Sequence, residues 1–183
     1  MNRVFLMSFL LNVIFLSTCN AEQGFARKYV CYDGENERNV IIEGDMMVDF
    51  ELYDYDDVSH HLNDFIGSGK FTILEFSCIG CGPCEIAKPI LTELYNKHNS
   101  RLELITISND PEVIWKTKPN GVVEWHEWND HKLAREIFRK YGVEVIPTFV
   151  LINPDGVVKK KCIGISALFE AIKQYIHVDN LVK

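Results

Sequence analysis

Three cysteines fall within the run Cys78-Ile79-Gly80-Cys81-Gly82-Pro83-Cys84. The last two form a Cys-x-x-Cys directly after the apolar run Phe71–Phe76. A helical pattern follows, with Ile86, Ile90, Leu91, Leu94 and Tyr95 on one face. A dithiol set between a strand and a helix reads as a redox pair. The reason is electrostatic. Unpaired N–H groups and the macrodipole at a helix N-terminus favour negative charge, so a thiol there ionises readily. The thiolate is the attacking species in disulfide exchange, and a second cysteine one turn later can resolve the mixed disulfide. Exchange of disulfides with another protein is the leading chemistry of these residues.

The same thiols admit a second chemistry. Cys78-x2-Cys81-x2-Cys84-x3-Lys88-Pro89 has the spacing of a bacterial ferredoxin run, with lysine where the fourth ligand belongs. Three thiolates can hold an iron–sulfur cluster or, with a histidine, zinc. The missing ligand and the lack of a second such run weigh against this. Other metal signals are weaker. His126-Glu127 and His131 are spaced one residue too far for His-Glu-x-x-His, and Asp54, Asp56 and Asp57 lack the glycine and distal glutamate of a calcium loop. His60-His61 reads as a solvated loop.

The elements that must position the dithiol follow from periodicity. Short strand-like pieces are expected over 27–32, 40–42 and 46–53, and a turn of helix near Leu62–Phe65. Phe71–Phe76 and Leu102–Ile107 read as buried strands, and 84–99 as a helix interrupted at Pro89. A short helix is expected over 111–115 and an extended piece over 122–128. Asp130 caps a helix in which Leu133, Ala134, Ile137, Phe138 and Tyr141 recur, and Gly142 ends it. Residues 145–152 and 157–165 form a hairpin about Asn153-Pro154-Asp155-Gly156, and Ser166 caps a last helix. Trp115, Trp125 and Trp128 read as packing residues. The plan is α/β, with a mixed central sheet flanked by helices.

The whole chain narrows the setting. Its net charge is −7, and the only basic cluster is Lys159-Lys160-Lys161, read as the solvated face of an edge strand; nucleic acid is not expected as a partner. Asn2-Arg3, the apolar run Val4–Leu16 and the small residues before Ala21 have the layout of an export signal, too short to span a bilayer comfortably. Cleavage after Ala21 would release a soluble protein. Leu16-Ser17-Thr18-Cys19 also resembles a bacterial lipoprotein box, which would make a lipid on Cys19 the one membrane tether. Beyond residue 21 stand Cys31, Cys78, Cys81, Cys84 and Cys162, an odd number, so at least one thiol is left over.

Glu75 to Cys84, Pro89, and Gly142-Val143-Glu144-Val145-Ile146-Pro147-Thr148 together resemble the thioredoxin fold. The N-terminal segment, the stretch between Asn109 and Asp130, and Asp49-Phe50-Glu51-Leu52 are similar to the TlpA/ResA branch of exported thiol-disulfide oxidoreductases. The likeness covers roughly residues 45–176. It implies a signal over 1–21, an N-terminal extension over 22–44, and a thioredoxin-like domain over 45–183 with an insert before the third helix. It also implies that Cys81 attacks and Cys84 resolves. Gly82 would allow close backbone approach and Pro83 would begin the helix. Pro147 would be a cis-proline facing the dithiol, with Ile146 and Thr148 beside it holding a substrate strand. Glu75 matches the position of a buried acid, whose raised pKa suits a general base for the resolving thiol.

Two residues depart from the family pattern. Gly80 stands where a tryptophan is usual, which removes an aromatic wall beside the dithiol. Cys78 stands where a small residue is usual, and reads either as a buried hydrophobe or as an extra redox thiol. The resemblance implies no cofactor, since the electrons reside on sulfur. It further implies a monomer in the periplasm or cell envelope, protein thiols and disulfides as partners, and an envelope electron donor. A binding module with incidental thiols remains the non-enzymatic alternative.

Overall fold

The structure, a computed structural model, describes residues 30–32, 37–118, 123–178 and 181. The expected export signal and Cys19 lie outside the described residues. A small antiparallel pair, β1 (Val30–Tyr32) and β2 (Glu37–Asn39), precedes the main sheet. That sheet has seven strands in the order β4-β3-β7-β6-β5-β8-β9. Its strands are β3 (Glu51–Tyr53), β4 (Ser59–His61), β5 (Phe71–Ser77), β6 (Leu102–Ser108), β7 (His126–Asn129), β8 (Thr148–Ile152) and β9 (Val158–Ile163). β5, β6 and β7 run parallel, and β8 lies antiparallel to β5 and pairs with β9 in a hairpin. The helices are α1 (Gly82–His98), α2 (Glu112–Trp115), α3 (His131–Lys140) and α4 (Gly164–Ile176).

Strand alternation assigns the two faces. Ile73, Leu104, Phe149 and Leu151 pack with Ala87, Leu91 and Leu94 of α1 and with Leu168 and Ile172 of α4. Leu74, Phe76, Ile105 and Val150 pack on the opposite face with Ile137 and Phe138 of α3, together with Trp128 and Tyr141. β5 is buried on both faces from Thr72 to Ser77 and therefore lacks the polar alternation of a half-exposed strand. The dithiol thus emerges from a strand enclosed on both faces.

Several local expectations give way to tertiary contacts. Helix α1 runs through Pro89 without interruption. An interior proline forfeits one backbone bond, and here buried Ala87, Leu91 and Leu94 hold both halves to the sheet. Ile86, expected on the buried face, is 69% exposed. Ser166 lies inside α4 and does not cap it. The helix begins at Gly164, whose N–H donates to the Pro147 carbonyl at 3.0 Å. Residues 40–42 form no strand, although Val40 and Ile41 are buried, and of 46–53 only Glu51–Tyr53 is a strand. β8 begins at Thr148 and not at Val145. His60-His61 belongs to strand β4. The His60 ring stacks on Trp128 at 5.4 Å and its Nε2 meets Asp54 at 2.8 Å.

Gly142 closes α3 for a visible reason. Its N–H bonds the Arg139 carbonyl and the Val143 N–H bonds that of Phe138, the two bonds of a Schellman motif, with Gly142 at φ +59°. A Cβ there would stand 2.6 Å from Val40 Cγ1. G142A is expected to destabilise the fold by about 2 kcal/mol, from the left-handed backbone and the clash together. A denaturant midpoint equal to that of the parent protein would remove this account of the α3 terminus.

Candidate active site

The site is assembled where the C-terminal end of β5 meets the N-terminus of α1. Cys81 is the N-cap of that helix, with φ −74° and ψ 103°, and its sulfur accepts the Cys84 N–H at 3.3 Å. Gly82 and Pro83 occupy the first two helical positions, where Pro83 sacrifices no helical hydrogen bond. Cys81 and Cys84 are joined as a disulfide with their Cα atoms 5.2 Å apart. Cys84 is fully buried and Cys81 is half-buried, so solvent reaches the pair through Cys81. The disulfide takes two of the three thiolates that the metal reading would need.

The Ile146–Pro147 peptide is cis. Thr148 pairs with Phe76 across β5 and β8, so Pro147 falls one residue further on, beside the point where β5 gives way to the dithiol loop. Thr148 Oγ1 donates to the Val145 carbonyl at 2.7 Å, which closes the turn that carries Ile146 and Pro147. Pro147 is buried, Ile146 half-buried and Val145 exposed.

Glu75 is 2% exposed. It lies two residues after Ile73 and shares its face, under α1. Parallel register sets Thr106 of β6 beside it, and Thr106 Oγ1 donates to Glu75 Oε2 at 2.6 Å. Trp125 Nε1 in turn donates to Thr106 Oγ1 at 2.9 Å, which directs the hydroxyl proton toward the carboxyl. Burial pushes the Glu75 carboxyl up to about 7, with Thr106 opposing and the charge of Glu127 adding to the rise. Thr106 and Trp125 were not legible as site residues, because only the β5–β6 register brings them to Glu75.

Cys78 and Cys162 are free thiols. Burial, and then the nearby Asp110 carboxylate, push the Cys78 thiol up, and burial pushes that of buried Cys162 up to about 11. Both are held protonated. Cys31 lies in β1, and its side chain falls outside the described residues. Sequence reasoning also missed Asp110, whose Oδ2 accepts the Ile79 N–H at 2.8 Å. Of the buried tryptophans, Trp128 packs with Phe50 and Phe65, and Trp115 with Tyr55.

A parallel β5–β6 core, an N-capping Cys-x-x-Cys and a cis-proline beside it define a thioredoxin-fold dithiol protein. Residues 69–158 match the family described as Thioredoxin-like. The thiol-disulfide oxidoreductase ResA of Bacillus cereus is 30% identical over 174 residues, which cover 91% of this chain and 94% of that protein. The ResA of Geobacillus thermodenitrificans is 29% identical over 143 residues, covering 76% and 79%. A solved structure described as a thiol:disulfide interchange protein DsbE from Chlorobium tepidum superposes with a TM-score of 0.63 at 26% identity, covering 75% of this chain and 96% of that one. The chain belongs to the thioredoxin-like family of thiol-disulfide oxidoreductases, alongside ResA.

Proposed function

We propose that this protein reduces disulfides of other proteins in the cell envelope, with Cys81 as nucleophile and Cys84 as resolving thiol. The observation that carries the reading is the asymmetric pair: a half-exposed sulfur at a helix N-terminus, bonded to a fully buried one. In the reduced protein the Cys81 thiolate attacks a partner disulfide. A Cys81–partner S–S bond forms, the partner's own S–S bond breaks, and the departing sulfur takes up a proton. Cys84 loses its proton to Glu75 and attacks the Cys81 sulfur. The intramolecular disulfide forms and the partner's second thiol departs. Two electrons and two protons have then passed to the partner.

The surroundings favour a polypeptide partner. Ile79, Ile86 and Val145 are 38%, 69% and 48% exposed on the dithiol loop, on α1 and just before Ile146. Exposed apolar side chains about a reactive sulfur suit a protein surface. In this reading Gly82 and Pro83 permit close approach, and Ile146, Pro147 and Thr148 seat the partner's strand. The reductant direction rests on the Cys-Gly-Pro-Cys sequence, since thioredoxin lies at roughly −270 mV and the oxidant DsbA at about −120 mV. Residues 1–21 direct export, and an envelope electron donor restores the dithiol. The working unit is one chain, because one dithiol completes the cycle. The mass of the mature N-terminus decides between a lipid on Cys19 and cleavage after Ala21.

Alkylation and mass mapping across a graded glutathione and dithiothreitol poise tests the proposal. Cys81 and Cys84 are expected to titrate together as one two-electron couple near the thioredoxin potential. A midpoint near that of DsbA would reverse the direction. Cooperative protection of Cys78, Cys81 and Cys84, lifted only by a chelator, would replace the mechanism with metal binding.

A further inference from the structure

The loop that presents Cys81 is held from outside by a buried carboxylate. Residues 78–81 form a turn whose closing bond, Cys81 N–H to the Cys78 carbonyl, is long at 3.4 Å. Gly80 stands third in it with φ +79°, the sign that a type II turn requires at that position. Ile79 and Gly80 are exposed, so the turn gains little from packing. Its tie to the body of the protein is the Ile79 N–H, which donates to Asp110 Oδ2 at 2.8 Å. Asp110 is 9% exposed and is itself firmly placed. The same Oδ2 accepts the Ser108 hydroxyl at 2.6 Å, and Ser108 Oγ accepts the Asp110 N–H at 3.1 Å. Asn129 at the end of β7 donates to the carbonyls of Ser108 and Asp110, both at 3.0 Å. The His131 ring meets the Asn109 carbonyl at 2.9 Å.

We propose that Asp110 is a positioning residue for disulfide exchange: anchored by β6, β7 and the start of α3, it grips the Ile79 amide and sets the turn that aims Cys81 at its partner. The inference rests on the reading of Cys81 as nucleophile. The Asp110 carboxylate also lies close enough to Cys78 to oppose ionisation of that thiol. Lys88, Lys118 and Glu127 line the same narrow cavity as Cys78 and Asp110, but the lysines are paired at 2.8 Å with other carboxylates, Lys88 with Glu85 and Lys118 with Glu127.

Two substitutions at one position separate the hydrogen bond from the charge. D110A removes both, and is expected to slow disulfide reduction about tenfold, the scale of one amide that loses its charged acceptor. D110N keeps an acceptor oxygen but loses the charge, and is expected to stay within about twofold of the parent rate while Cys78 alkylation titrates at lower pH. A merely structural residue would give no such split. If D110A does not fold, I79P compared with I79A answers the same question, because proline suits the second position of the turn but has no N–H. I79P should be about tenfold slower than I79A. D110A at the parent rate, D110N as slow as D110A, or I79P at the rate of I79A would each overturn the proposal. C81S runs in the same assay. If it still reduces disulfides, the nucleophile assignment fails, whereas an inert C81S beside an unimpaired D110A removes only the role of Asp110.

Discussion

C81S is expected to lose reduction of a disulfide substrate such as insulin by at least about 10³-fold, because a serine hydroxyl is not ionised at neutral pH and cannot replace a thiolate attacking sulfur. Cys84→Ser has a different signature. Cys81 can still attack, but nothing resolves the product, so the protein accumulates as a mixed disulfide with its partner. That species runs at the summed mass on a non-reducing gel and disappears with dithiothreitol. The burial difference makes the roles non-interchangeable, since Cys84 is fully enclosed and only Cys81 is open to an incoming disulfide. Turnover that survives in C81S, or a trapped complex formed by C81S instead of by C84S, would invert or abolish the assignment. The trapped partner also identifies the natural substrate.

E75Q is expected to make the protein slower and more stable at once. In the proposed role of general base for Cys84, Glu75 would contribute on the order of 10²-fold to the resolving step at pH 7, and the amide that replaces it cannot take the proton. The stability effect follows from the carboxyl's rise from 4.5 to about 7 in the folded oxidised protein. Between those values the folded state holds a proton that the unfolded chain has released. The stabilisation is therefore complete below about 4.5, falls as pH rises, and is lost above about 7, a total of about 3 kcal/mol. In E75Q the side-chain amide would still accept the Thr106 hydroxyl but carries no buried charge. Thermal denaturation of the oxidised variant should show a flatter pH dependence and, at pH 8, a higher midpoint than the parent. A parent protein equally stable at pH 5 and pH 8 would mean that Glu75 is not a buried titrating carboxyl. Unchanged resolution kinetics in E75Q would assign the proton to another acceptor.

The chemistry of the chain was written in contiguous residues. Cys81-Gly82-Pro83-Cys84 lies where a strand hands over to a helix, and the helix-end chemistry there depends only on neighbours along the backbone. The same locality made α3 legible, from the Asp130 cap to Gly142, and likewise the turn at Asn153–Gly156. Where local signals failed, a distant contact had prevailed. Pro89 does not interrupt α1 because the sheet holds both sides of it, and Ser166 does not cap α4 because Gly164 is already bonded to the Pro147 carbonyl. The support of the dithiol was hidden in the same way. Thr106 meets Glu75 only through the register of β5 on β6, and Asp110 reaches Ile79 only once Asn129 has drawn the end of β6 against β7. Sequence by itself picked out the two sulfurs that are joined in the structure, since both lie within one turn of backbone. The tertiary structure alone decided which residues support the loop and the strand beside them, because a hydrogen bond between residues 31 apart in the chain exists only after strand pairing has fixed the register.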